Sequence, residues 1–125
     1  MTTKRILIID DEQGIRKVIE ISLRTIAGWE VLLAESGSEG LAIAQIEFPD
    51  AILLDVMMPG MDGITTLQQI QAHPATSMIP VILLTAKIQT SEQRQFSSLA
   101  IAGVIAKPFK APDLVKQMRS LLHWN

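Results

Sequence analysis

Arg5-Ile-Leu-Ile-Ile-Asp10-Asp11 runs four bulky apolar residues straight into two carboxylates. Three later stretches repeat the design: Ala51-Ile-Leu-Leu-Asp55, Pro80-Val-Ile-Leu-Leu-Thr85 and Gly103-Val-Ile-Ala-Lys107. A weaker fifth run is Trp29-Glu-Val-Leu-Leu-Ala34. None alternates apolar with polar residues, as a strand with one wet face does. Short continuous runs rich in Ile, Val and Leu are strands covered on both faces, which means a parallel sheet.

The segments between them carry helical spacing. Ile15, Val18, Ile19, Leu23 and Ile26 form one stripe. Leu41, Ala44 and Phe48 form a second, behind the capping-box pattern Ser36-x-x-Glu39. Ile64, Leu67 and Ile70 follow Asp62-Gly63, and Phe96, Leu99 and Ala100 follow Thr90-x-x-Gln93. Leu114, Val115, Met118, Leu121 and Leu122 follow Pro112, which suits a first helical turn. Lys87 to Ser98 is the segment of lowest helix propensity, because Thr90, Ser91, Ser97 and Ser98 compete with the helical backbone. Strand and helix alternate through five rounds, so the expected fold is α/β: a doubly wound, five-stranded parallel sheet with five helices.

The totals bound the function. The 125 residues, 48% of them hydrophobic, suit one domain over 1–125 with a sizeable core. No apolar block approaches the roughly 18 residues that span a bilayer, and the first stops at Asp10-Asp11-Glu12, too early for a signal peptide. The expected location is the cytoplasm, without membrane contact. There is no cysteine, hence no disulfide and no thiolate chemistry. A net charge of −2, 4% aromatic residues and no tyrosine argue against direct nucleic-acid binding.

Chemistry gathers at the strand ends. Asp10 and Asp11 close the first run, Asp55 the third, Thr85 the fourth and Lys107 the last. In open α/β sheets ligands sit outside the carboxyl ends of the strands, where strand order reverses. In the flavodoxin-like order 2-1-3-4-5 the first and third strands are neighbours, so Asp10, Asp11 and Asp55 crowd together and repel one another. A hard divalent cation, Mg²⁺ or Mn²⁺, relieves this through oxygen ligands, with the Met57 backbone carbonyl as a further donor. A carboxylate attacks phosphorus to give an aspartyl phosphate. Phosphoryl transfer needs alignment and charge stabilisation more than covalent help. Lys107 supplies a positive charge, and the Thr85 hydroxyl a hydrogen bond, to phosphoryl oxygens.

Taken singly, each residue has an ordinary role: Asp10-Asp11 a turn or helix cap, Asp55 a turn, Lys107 a solvated charge. Together, Asp10-Asp11-Glu12, Leu54-Asp55-Val-Met-Met-Pro-Gly-Met-Asp62-Gly63, Leu84-Thr85-Ala86 and Lys107-Pro108-Phe109 resemble the receiver domain of two-component response regulators, over essentially the whole chain. The likeness is to single-domain receivers of the chemotaxis-regulator type. It implies that Asp55 is the phosphorylated aspartate, Asp11 a direct metal ligand and Asp10 a ligand acting largely through water. It implies that the Met57 carbonyl is a third protein ligand, that Thr85 and Lys107 hold the phosphoryl oxygens, and that Lys107-Pro108 is commonly cis. The donor it implies is a phosphohistidine on a sensor histidine kinase or a phosphotransfer protein. Such domains are not dedicated enzymes, although they catalyse their own phosphorylation and dephosphorylation.

One position departs from the family. Val104 stands three before the lysine, where relatives often carry an aromatic residue that swings inward with the threonine. On phosphorylation Thr85 and Lys107 are expected to shift a face built from the fourth helix, fifth strand and fifth helix toward an unnamed downstream protein. No output module follows Asn125 in the sequence read here, so the expectation is control of a partner or relay of the phosphoryl group. Two rivals are a Mg²⁺-dependent phosphohydrolase, against which Met57 replaces the expected Asp-x-Asp pattern, and a docking module that is never phosphorylated.

Overall fold

The runs that lack alternation are covered on both sides. In the computed structural model, which describes residues 3–56, 63–85 and 100–124, β3 (Ala51–Asp55) and β4 (Val81–Thr85) are buried at every position. With β1 (Arg5–Ile9), β2 (Glu30–Ala34) and β5 (Gly103–Ala106) they form one sheet in the order β2-β1-β3-β4-β5. Every pairing is parallel. The edge strands β2 and β5 are only partly covered.

Alternate residues of each strand feed two cores. Ile6 and Ile8, with Leu53, Ile82, Leu84 and Ile105, meet Ile19 of α1 (Gln13–Ser22) and Leu114, Val115 and Met118 of α4 (Ala111–Leu122). Leu7 and Ile9, with Ile52, Leu54 and Leu83, meet Ala44 of α2 (Gly37–Glu47) and Leu67 and Ile70 of α3 (Gly63–Ala72). Each fully buried Leu or Ile contributes about 1.5–3 kcal/mol from removal of its side chain from water. These are the four α-helices among the described residues. The helix expected within 87–98 lies outside them, as does the Met57 carbonyl.

Two stripes differ from expectation. Ile19 and Leu23 are buried, but Val18 and Ile26 are exposed. After Ser22 the chain widens into a π-helical turn, Leu23–Ala27, which ends at Gly28 in the left-handed region (φ 71°). A wider turn breaks the 3.6-residue phase, so Ile26 falls off the buried face. In α2 the sheet-facing residues are Gly37, Gly40 and Ala44, while Phe48 is exposed at the C-cap. A side chain on Gly40 would overlap that of Ile9, so α2 lies close against β1.

The capping box is half present. The Glu39 N–H donates to Ser36 Oγ at 3.2 Å, but Glu39 Oε1 accepts from the Glu35 N–H at 3.1 Å rather than from Ser36. At the opposite edge of the sheet Arg5 donates to Glu47 Oε2 at 2.7 Å. That hydrogen bond, helped by the charge of Glu47, raises the guanidinium pKa further. Beyond α4, Trp124 sets its ring edge-on to Trp29 at 5.3 Å, with Lys4 over the first ring and Arg119 over the second. Trp124 is thereby fastened beside the start of β2.

Candidate functional site

All five strands point the same way, so their carboxyl ends share one edge. Asp10 follows β1 directly and is fully buried, with every polar atom engaged. Its N–H donates to the Ala34 carbonyl at 3.1 Å. Its own carbonyl accepts from Arg16 Nη1 at 2.8 Å. Its Oδ1 accepts from the Glu12 N–H at 2.9 Å, and its Oδ2 from Lys107 Nζ at 3.2 Å. Asp11, the next residue, is exposed.

Asp55 ends β3 and is 2% exposed. Lys107, directly after β5, brings Nζ to 3.5 Å from Asp55 Oδ2 while holding Asp10. Carboxylate oxygens of Asp10, Asp11 and Asp55 lie within 4.8 Å of one another. Three carboxylates against one ammonium leave two negative charges, the complement of a divalent cation. Donors that are all oxygen suit Mg²⁺ or Mn²⁺ better than a thiolate- or imidazole-seeking metal. The residues present therefore fit such an ion.

Thr85 ends β4, 4% exposed, and its carbonyl accepts the Lys107 N–H at 2.8 Å. The backbone of the threonine thus fixes where the lysine starts. The Lys107–Pro108 peptide bond is cis. Gly63 opens α3 against the strand end: a Cβ there would sit 2.5 Å from the Asp55 carbonyl oxygen and 2.5 Å from Val56 Cα. Only a residue without a side chain lets α3 start so near the end of β3. Val104 pairs with Leu83 across the sheet and is half-buried beside the α2/α3 core, an ordinary packing position.

The model of the response regulator receiver domain family matches residues 6–119. The chain belongs to that family. Among its relatives, the probable transcriptional regulator ycf27 of Cyanophora paradoxa is 40% identical over 119 residues, covering 95% of this chain and 48% of the relative. The phosphate regulon transcriptional regulatory protein PhoB of Pseudomonas aeruginosa is 38% identical over 122 residues, covering 98% of this chain and 53% of the relative. The chain thus spans about half the length of these relatives. Among solved structures, chemotaxis protein CheY4 of Vibrio cholerae superposes with a TM-score of 0.89 at 28% identity, over 96% of this chain and 99% of that one. The receiver domain of sensor histidine kinase PA1611 from Pseudomonas aeruginosa superposes with a TM-score of 0.86 at 28% identity, over 98% and 99%. That domain carries a magnesium ion in its active-site cleft.

For this receiver domain, the structure brings together Asp10, Asp11, Asp55 and Lys107, and sets Thr85 at the adjoining strand end. Arg16 and its partner Glu35, 3.4 Å apart, lie beside these residues and were not among those singled out from the sequence. A signal existed: Arg16 lies three residues before Ile19 and seven before Leu23, on the buried face of α1. A charge on that face needs partners.

Proposed function

We propose that this receiver domain takes a phosphoryl group onto Asp55 from a phosphohistidine on a sensor histidine kinase or phosphotransfer protein, with Mg²⁺ bound by Asp10, Asp11, Asp55 and the Met57 carbonyl. An Asp55 carboxylate oxygen forms the new P–O bond as the P–N bond breaks and the donor imidazole leaves. Bound in the acidic cluster, the cation neutralises the charge of the incoming oxygens. Lys107 holds one phosphoryl oxygen as a point charge and the Thr85 hydroxyl donates to another. Water later attacks the same phosphorus, the P–O bond to Asp55 breaks, and phosphate leaves with the Asp55 carboxylate restored. The observation that carries this reading is the Lys107 ammonium, 3.5 Å from Asp55 and 3.2 Å from Asp10 beside a third carboxylate.

The output we propose is a shift in the face that spans residues 87–98, β5 and α4. Phosphorylation adds charge and acceptor oxygens at Asp55. Thr85 and Lys107, drawn toward them, lead into both sides of that face and favour one of two loop arrangements. The proposed location is the cytoplasm. Among the described residues, no helix is long and apolar enough to cross a membrane.

Incubation with acetyl phosphate and Mg²⁺, followed by intact-mass spectrometry, tests the proposal. The expected result is one phosphoryl adduct, absent when the metal is chelated and absent in Asp55→Asn. Full modification of folded Asp55→Asn would contradict it.

A further inference from the structure

Arg16 is 8% exposed, in the first half of a helix whose other buried residues are small or apolar. Among the described residues its guanidinium makes no ion pair with the carboxylates of Asp10, Asp11 or Asp55. Nη1 instead donates to the main-chain carbonyl of Asp10 at 2.8 Å, and Nη2 reaches Glu35 Oε1 at 3.4 Å, in the turn after β2. That carbonyl belongs to the peptide unit joining Asp10 to Asp11. Its orientation sets the direction in which Asp11 leaves the backbone. Asp10 is held independently by Ala34, Glu12 and Lys107. Asp11 is exposed, so packing does little to orient it.

We infer that Arg16 is a positioning residue for the divalent-metal site: by gripping the Asp10 carbonyl and anchoring on Glu35, it aims the Asp11 carboxylate at the ion shared with Asp10 and Asp55. The inference rests on the metal-dependent reading of this site. The planar fork of arginine suits the task, since two donors in fixed geometry bridge two acceptors on different turns. A lysine has one compact ammonium and serves one of them well.

Metal affinity separates positioning from charge. Arg16 is a cation near an acidic cluster, so if its charge alone mattered, neutralising it would tighten cation binding. Positioning predicts the reverse. Titration with Mn²⁺, followed by water proton relaxation, gives the dissociation constant without any phosphoryl chemistry. Arg16→Gln is expected to weaken binding about tenfold, or about 1.4 kcal/mol. Arg16→Lys, which keeps the charge and covers the case in which the glutamine variant does not fold, is expected to weaken it several-fold. Wild-type affinity in folded Arg16→Lys, or tighter binding in Arg16→Gln, would overturn the inference while leaving the metal site standing. A wild-type protein that binds Mn²⁺ no better than Asp11→Asn would overturn the metal site itself, and the inference with it.

Discussion

The Lys107 ammonium lies 3.2 Å from Oδ2 of Asp10, a fully buried carboxylate. One charge thus compensates in advance what a divalent ion compensates on binding. Two cations compete for the same oxygens, and the competition has a sign. In Lys107→Met the carboxylates are left to repel one another, so the metal-free protein loses stability, by about 3 kcal/mol from the buried charge stranded without its partner. Mg²⁺ affinity rises because the competitor is gone. Thermal unfolding with and without Mg²⁺ checks both, the expected result being a lower melting temperature for the variant without metal and a larger upward shift on adding it. Phosphorylation of this variant is expected to fall, because no ammonium meets the phosphoryl oxygens.

Gly63 and Gly14 make a matched pair. A methyl group at Gly63 meets main-chain atoms of Asp55 and Val56, which cannot turn aside as a side chain does. Gly63→Ala is expected to cost about 1–3 kcal/mol by overpacking. It also displaces the strand end that carries Asp55, so phosphorylation slows. At Gly14, within α1, a Cβ meets nothing within 4 Å. Gly14→Ala is expected to stabilise the protein by about 0.5–1 kcal/mol through reduced freedom of the unfolded chain. Urea denaturation of the two variants measures the difference.

Beside the acidic site, α1 and the turn after β5 enclose an open groove of about 620 Å³, lined by Ile15, Val18, Pro108 and Phe109 among others. Lys107 stands at its edge and Val18 is 53% exposed. On the proposed transfer, a protein donor that brings its phosphohistidine to Asp55 beside Lys107 would also cover this groove. A small phosphodonor covers nothing. Val18→Glu is expected to slow transfer from a phosphorylated donor protein at least tenfold, equivalent to about 1.4 kcal/mol, and to leave modification by acetyl phosphate unchanged. Equal slowing with both donors would argue against docking here.

The tryptophan pair serves stability at the far side of the sheet. Trp124 lies beyond the last helix, and its edge-on contact with Trp29 ties that end to β2. Trp124→Leu removes the ring contact, expected to cost about 1 kcal/mol. The two rings in contact are the only tryptophans of the chain, so its tryptophan fluorescence comes from this pair. Acyl phosphate formation at the opposite edge is expected to be unaffected.

What could be read from the sequence follows from what burial does to a pattern. β1, β3 and β4 have two covered faces, so their residues are apolar without interruption and the parallel sheet was evident. Asp10, Asp55, Thr85 and Lys107 were legible because a parallel sheet sends all its strand ends to one edge. Helix faces were harder. Val18 has the apolarity and spacing of a core residue, yet it lines the open groove. Ile26 was misplaced by the π-helical turn, which a 3.6-residue count does not foresee. The spacing of Arg16 puts it on the buried face of α1, but its partner there was not legible, because a main-chain carbonyl leaves no mark in a sequence.

Asp55, and not its acidic neighbours, is the proposed phosphoryl acceptor. Borohydride reduces an aspartyl phosphate to homoserine and so marks the residue that carried it. After acetyl phosphate and Mg²⁺ treatment, reduction and peptide mapping, homoserine is predicted at position 55 alone. Homoserine at position 10 or 11, or none in folded wild-type protein, would contradict the account.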